Sequence, residues 1–182
     1  MECNDFYRIT VAGQTRDLPI CKVNDKLSIA AFVMFGDVPL TVAAAEELLK
    51  KAPEFDLILT AESKGIPLAY EMSRQSGKKY ILARKSPKLY MKEPIRIEVK
   101  SITTARLQEL YLDASDAMEL NGKRVLIVDD VISTGESLRA LEGLLAQTGA
   151  TIVGKMAVLA EGSAAERNDI IYLAHLPLFL KD

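Results

Sequence analysis

The chain has 182 residues, 49% of them hydrophobic and 26% charged, with a formal net charge of -2. That length buries a core within one domain, and the slight acidity gives the whole molecule no electrostatic reason to seek nucleic acid, so any basic function is local. No apolar run approaches the roughly 20 residues a membrane helix needs, and the opening M-E-C-N-D-F-Y-R-I-T lacks the basic and apolar regions of a signal peptide. The two cysteines, Cys3 and Cys21, have no metal-ligand spacing and are too few for a disulfide framework. Free thiols in a reducing, cytoplasmic compartment are expected.

Residues 1–40 read as short β-rich pieces, at 5–12, 18–22 and 27–35, broken by G-Q-T-R-D and N-D. From Thr41 the pattern turns helical, V-A-A-A-E-E-L-L-K-K-A, and stops near Pro53. F-D-L-I-L-T-A then reads as a fully buried strand, followed by E-S-K-G and a helix, I-P-L-A-Y-E-M-S-R-Q-S-G, closed by Gly77. K-K-Y-I-L-A-R, I-R-I-E-V-K and L-Q-E-L-Y-L-D are further strands, and the polar stretch 85–104 is expected to be mobile. R-V-L-I-V-D-D is the most apolar strand, G-E-S-L-R-A-L-E-G-L-L-A-Q-T-G an amphipathic helix, and T-I-V-G-K-M-A-V-L-A a long strand. E-G-S-A-A-E-R-N-D is a loop before I-I-Y-L-A-H-L-P-L-F. Strand–helix alternation after residue 41 predicts an α/β fold, a parallel sheet with helices on both faces.

Ligands of such sheets bind beyond the carboxyl ends of the strands, and three polar clusters fall there. In Ser133-Thr134-Gly135-Glu136-Ser137 the amides of a helix start carry the positive end of the helix dipole, which favours a phosphate. Read alone, S-T-G is an ordinary capped turn. No Walker loop and no G-x-G-x-x-G is present. Asp129 and Asp130 stand immediately before this anion cradle. Paired acids after V-L-I-V also open receiver domains, but too few residues follow Asp130 for the remaining strands of that fold. A sugar phosphate accounts for both halves: carboxylates accept vicinal hydroxyls while the cradle takes the phosphate, and they face the right charge if the sugar turns cationic. The second cluster, L-T-A-E-S-K-G, and the third, Ala83-Arg84-Lys85-Ser86-Pro87-Lys88, read alone as a tight turn and a solvated basic run. His175, the single histidine, reads as structural, and the methionines as core filler.

V-L-I-V-D-D-V-I-S-T-G-E-S resembles the 5-phosphoribosyl-1-pyrophosphate (PRPP) signature of type I phosphoribosyltransferases, matching it at all 13 positions. The resemblance spans about residues 55–160 and implies the parallel-sheet type I fold, with residues 1–40 as a small β-rich N-terminal hood and 41–182 as the core. It implies that Asp129 and Asp130 hold the ribose hydroxyls at the catalytic centre, and that Ser133, Thr134, Gly135, Glu136 and Ser137 hold the 5′-phosphate. A-E-S-K-G-I-P is similar to the diphosphate loop of the purine enzymes, so Glu62, Ser63, Lys64 and Gly65 would bind diphosphate, around a non-proline cis peptide. Arg84, Lys85 and Lys88 would neutralise it, and a flexible loop between about residues 90 and 107 would close over the reacting centre. Mg2+ is the implied cofactor, held mainly through substrate oxygens and water, with Asp129 and Asp130 as its protein candidates.

The implied activity is transfer of phosphoribosyl from PRPP to a purine, with adenine the first choice and xanthine or hypoxanthine/guanine the alternatives. F-V-M-F-G-D-V-P-L is similar to V-V-F-R-D-I-x-P-L of adenine enzymes, with Gly36 in place of their arginine, while S-I-T-T-A-R-L-Q-E-L-Y-L is closer to xanthine and archaeal hypoxanthine/guanine forms. Val131, Ile132, Phe32 and Phe35 are the base-contact candidates. Glu161 either reaches the base or starts a loop. A homodimer is implied, with PRPP and a purine as partners and neither nucleic acid nor membrane. The more distant alternative is a PRPP-sensing regulator of purine genes, for which no DNA-binding residues are left over.

Overall fold

The computed structural model describes residues 5–100 and 107–180. Strands β1 (Asp5–Val11), β2 (Gln14–Asn24) and β3 (Leu27–Ala30) form an antiparallel meander. The expected break at G-Q-T-R-D shrinks to Ala12 and Gly13, whose φ values of 50° and 71° make the left-handed two-residue turn that fits strand twist. β3 ends short of residue 35, and Gly36, at φ 80°, turns the chain into α1 (Val38–Lys51). The helix starts before Thr41 because the Asp37 carboxylate accepts from the Leu40 amide at 3.3 Å and Pro39 lies in the first turn. Arg16 of β2 forks onto that same carboxylate at 2.6 and 2.8 Å, which ties the hood to the core.

The core follows as β4 (Leu57–Ala61), α2 (Ile66–Ser76), β5 (Tyr80–Ala83), β6 (Ile95–Lys100), β7 (Leu107–Leu112), α3 (Ala114–Leu120), β8 (Arg124–Ile132), α4 (Glu136–Leu145), β9 (Thr151–Glu161), a 3-10 turn (Gly162–Glu166), β10 (Ile171–Leu176) and β11 (Leu178–Leu180). Five strands form one parallel sheet in the order β10-β9-β8-β4-β5. Its faces can be read from β8, where Leu126 and Val128 enter one buried cluster with α1 and α2, and Val125 and Ile127 enter the other with α4. Period-two alternation on an all-apolar strand therefore feeds two cores at once. The expected α/β architecture, with helices on both faces and a β-rich N-terminal sheet, is observed. β11 pairs antiparallel with β3, so the hood sheet, β1-β2-β3-β11, takes its fourth strand from the far end of the chain.

Three local expectations change. α3 is a helix with no amphipathic signal, since Leu120 is its one fully buried residue. The strands expected at I-R-I-E-V-K and L-Q-E-L-Y-L-D form as β6 and β7, paired from Ile95 opposite Leu112 to Lys100 opposite Leu107, so the expected mobile stretch is ordered there; the tip at 101–106, with S-I-T-T-A-R, lies outside the described residues, and with it that part of the expected mobile loop. Cys21 is disulfide-bonded rather than a free thiol. The meander places it where Asp5 pairs with Ile20, a proximity that sequence spacing does not encode. Among the described residues no helix is long and apolar enough to cross a membrane.

Candidate active site

From β4 the chain winds outward to β5, and from β8 it winds the other way to β9 and β10. Winding thus reverses between β4 and β8, where an open α/β sheet leaves a crevice at its carboxyl edge. The first two clusters meet there. Asp129 and Asp130 still belong to β8, with Asp129 opposite Ala157 of β9, so a rigid ladder holds both carboxylates. Asp129 Oδ1 accepts from the Asp130 amide at 2.9 Å. Asp130 is 2% exposed. Loss of hydration, then the adjacent Asp130 charge, pushes the Asp129 carboxyl up to about 8.

Beyond β8, residues 133–135 turn into α4. Gly135 precedes the helix at φ 75°, in the left-handed region glycine tolerates, and no side chain caps the helix start. No side chain thus competes with an anion at the start of α4. Ser133, Thr134, Gly135, Glu136 and Ser137, with Asp129, Val131 and Ile132, line a cavity of about 100 Å³. Its size and donors suit one phosphate group.

The loop after β4 carries a cis peptide between Glu62 and Ser63, as the resemblance implied. Gly65 is required by contact: a Cβ there would lie 2.6 Å from Thr60 Oγ1 and 3.0 Å from Asp129 Oδ1. Its absence lets this loop rest against β8. Lys64 Nζ then reaches Asp130 Oδ2 at 2.9 Å, joining the second cluster to the first. Glu62 joins the third. Its Oε2 accepts from the Lys85 amide at 2.9 Å and its Oε1 pairs with Arg84 Nη2 at 3.3 Å. The Lys85 amide and the surrounding Arg84, Lys88 and Lys85 charges hold the Glu62 carboxyl below its usual range. Arg84 is fixed at the backbone by paired bonds with Tyr111, at 2.8 and 2.9 Å. Lys88 donates to Ser86 Oγ at 2.9 Å.

The base candidates are not gathered in one place. Val131 packs toward the α1/α2 cluster, whereas Ile132 is buried toward α4, so its side chain does not supply the open apolar face expected of it. Phe32 is 4% exposed and lines a cavity of about 260 Å³ beside Arg16 and Asp37. That burial assigns it to core packing. Phe35 is half-exposed in a third cleft, of about 500 Å³, with Ser63, Ile66, Pro67 and Tyr70. Glu161 ends β9 and precedes the 3-10 turn. His175 is exposed on the edge strand β10. Three residues near the site were not singled out from sequence: Thr60, fully buried under Gly65; Asp37, which caps α1; and Arg167, which lay in no motif and whose guanidinium approaches Gly135.

A parallel sheet with paired acids at its switch point, an uncapped helix start beyond them and a cationic loop opposite defines a class, the phosphoribosyltransferases. A family model described as "Phosphoribosyl transferase domain" matches residues 36–175, and the chain belongs to that family. Its relatives place it more narrowly, in the purine branch. It is 36% identical over 131 residues to the adenine phosphoribosyltransferase of Cenarchaeum symbiosum, covering 67% of this chain and 74% of that one. It is 33% identical over 114 residues to the hypoxanthine/guanine phosphoribosyltransferase of Methanohalophilus mahii, covering 63% of this chain and 56% of that relative's length. The crystal structure of adenine phosphoribosyltransferase from Thermoanaerobacter pseudethanolicus superposes with a TM-score of 0.67 at 25% identity, over 78% of this chain and 84% of that one.

Proposed function

We propose that the protein transfers the 5-phosphoribosyl group of PRPP to a purine base, adenine first, giving a nucleoside 5′-monophosphate and diphosphate. The observation that supports this reading is the Lys64–Asp130 contact at 2.9 Å, in which the loop read as binding diphosphate touches the acid pair read as binding ribose. In this reading Asp129 and Asp130 accept the ribose hydroxyls and the 133–137 loop takes the 5′-phosphate. Residues 62–65 with Arg84, Lys85 and Lys88 take the leaving diphosphate. A base nitrogen attacks C1 as the C1–oxygen bond to diphosphate breaks; the electron pair leaves with diphosphate, and the base proton is lost to solvent. Positive charge building on the sugar faces the acid pair, and negative charge building on diphosphate faces the cations. Lys64 serves both states: it neutralises Asp130 before substrate binds and turns to diphosphate once ribose hydroxyls occupy the carboxylate.

Two adjacent carboxylates, with no cluster of three or more His, Cys, Asp or Glu among the described residues, suit a hard cation ligated largely by substrate oxygens. Asp129 and Asp130 would hold Mg2+, which when bound offsets diphosphate charge. We also propose a hood over residues 1–40 on a core over 41–182, a homodimer, and a cytoplasmic location, which rests on the metabolic activity proposed and not on free thiols, since Cys21 is disulfide-bonded. The dimer is supported by the exposed apolar side chains Phe35, Val38, Val42 and Tyr70 around the 500 Å³ cleft, a concentration of the kind that marks association surfaces.

Adenine is favoured by the names of the relatives. A second choice, hypoxanthine/guanine or xanthine, is favoured by Gly36, whose φ of 80° suits glycine where the adenine-type pattern has arginine. The test is diphosphate release from PRPP and magnesium with adenine, hypoxanthine, guanine, xanthine or orotate supplied singly. Turnover with one or more purines is expected, adenine fastest. Binding of PRPP without turnover on any base would sink the enzyme reading in favour of the sensor.

A further inference from the structure

Arg167 lies after the 3-10 turn, outside every motif the sequence offered. Its Nε and Nη2 donate to the two carboxylate oxygens of Asp169, each at 2.8 Å. Asp169 also accepts from Lys155 Nζ at 2.8 Å, and Lys155 pairs with Glu142 of α4 at 2.5 Å. This chain of contacts runs from β9 to α4 and fixes the guanidinium plane. It leaves Nη1 directed at the start of α4, where a Cβ on Gly135 would sit 2.8 Å from it. The Asp169 and Glu142 carboxylates hold this guanidinium charged, and Glu136 stands in the first turn of α4, so the cation is tolerated beside the positive end of the helix dipole and amides that no side chain caps. An ion pair with Asp169 needs only the two nitrogens already committed. An anion that touches both Nη1 and the uncapped amides is attracted by each.

We propose that Arg167 is a binding residue of the phosphate cradle, its Nη1 donating to an oxygen of the substrate's 5′-phosphate. The proposal rests on the phosphoribosyl reading and extends it to a residue 30 positions beyond the signature, since 167 minus 137 is 30. It also gives Gly135 a second role besides its φ of 75°: a Cβ there would lie 2.8 Å from Nη1 and push the guanidinium off the helix start. Asp169 and Lys155 are positioning residues that hold the fork.

The test is calorimetric titration of the full chain with ribose 5-phosphate and, separately, with diphosphate and magnesium. Arg167→Met is expected to weaken ribose 5-phosphate about 10-fold, the loss of one charge-assisted bond, while diphosphate affinity changes by less than about twofold, as for a distant site. Arg167→Lys, which keeps the charge without the fork, recovers part of the loss. Unchanged ribose 5-phosphate affinity, or equal weakening of both ligands, overturns the proposal. If Arg167→Met does not fold, Arg167→Lys and Asp169→Asn decide it: a selective loss of a few-fold for ribose 5-phosphate supports it, and none overturns it. Failure of the unmodified protein to bind ribose 5-phosphate sinks the phosphoribosyl reading together with this one. Binding that is insensitive to Arg167 sinks only this one.

Discussion

In the proposed mechanism the Asp130–Lys64 pair matters to turnover and hardly to stability. Asp130 is 2% exposed, while its partner Lys64 is about half exposed, so solvent screens the pair from one side. Ion pairs of that kind contribute about 0–1 kcal/mol. Asp130→Asn keeps the side-chain volume and leaves an already solvated ammonium behind, so the thermal midpoint should scarcely move. Turnover is another matter, because the asparagine offers the charged sugar no anion. A fall in kcat of roughly 100-fold or more is expected, in the range for removing one preorganised electrostatic contact. Steady-state kinetics beside a melting curve checks it, and comparable kinetics in the two proteins would remove Asp130 from the mechanism.

The strands that carry the site are anchored at their opposite ends. Asp56, just before β4, accepts from the Arg124 amide at 2.9 Å and from its Nη2 at 2.9 Å, while the Asp56 amide donates to the Arg124 carbonyl at 2.8 Å. This clamp sets β4 beside β8 in the register that brings Glu62–Gly65 opposite Asp129. The Arg124 guanidinium, then its amide, holds the Asp56 carboxyl down to about 2, against about 4 in an unfolded chain. A depressed carboxylate stabilises fully above its unfolded value and loses that contribution as pH falls toward its folded one. Asp56→Asn should therefore lower the thermal midpoint at pH 7, and the gap to the unmodified protein should close as pH falls from about 4 toward 2. Paired melting curves across that range measure it; a gap independent of pH would mean that the carboxylate charge is not what fastens the strands.

At the scale of the whole molecule, the described residues include an apolar surface beside the loop that follows β4. Phe35, Val38, Val42 and Tyr70 surround a cleft that also includes Ser63 of the loop after β4. Val38 and Tyr70 are each more than half exposed, so charging them does not empty the core. A Val38→Glu, Tyr70→Glu double variant should elute as a monomer with little change in thermal midpoint if this face joins two copies. Light scattering of both proteins decides it, and a monomeric unmodified protein would end the dimer proposal.

Much of this was legible in residue order because it is local. R-V-L-I-V-D-D is buried on both faces and so reads as a central strand, and S-T-G-E-S must turn into a helix whose amides point at the next ligand. Asp129, Asp130 and the cradle are neighbours in sequence, which is why their chemistry survives translation into a motif. Other features arise only when distant segments meet. The return of β11 to β3, the half-turn of Ile132 into the α4 core, the burial of Phe32 and the disulfide at Cys21 depend on pairings that no spacing encodes. The same holds for Arg167, an unremarked loop residue until the fold carries β9 past α4 and sets its guanidinium against Gly135. By itself the sequence determined the parallel sheet, the β-rich N-terminal segment and the run of acid pair, turn and helix start, because apolar period and turn chemistry act within a few residues. Only the tertiary structure decided which cations surround the acid pair and which apolar side chains stay exposed, because those are distances across the fold.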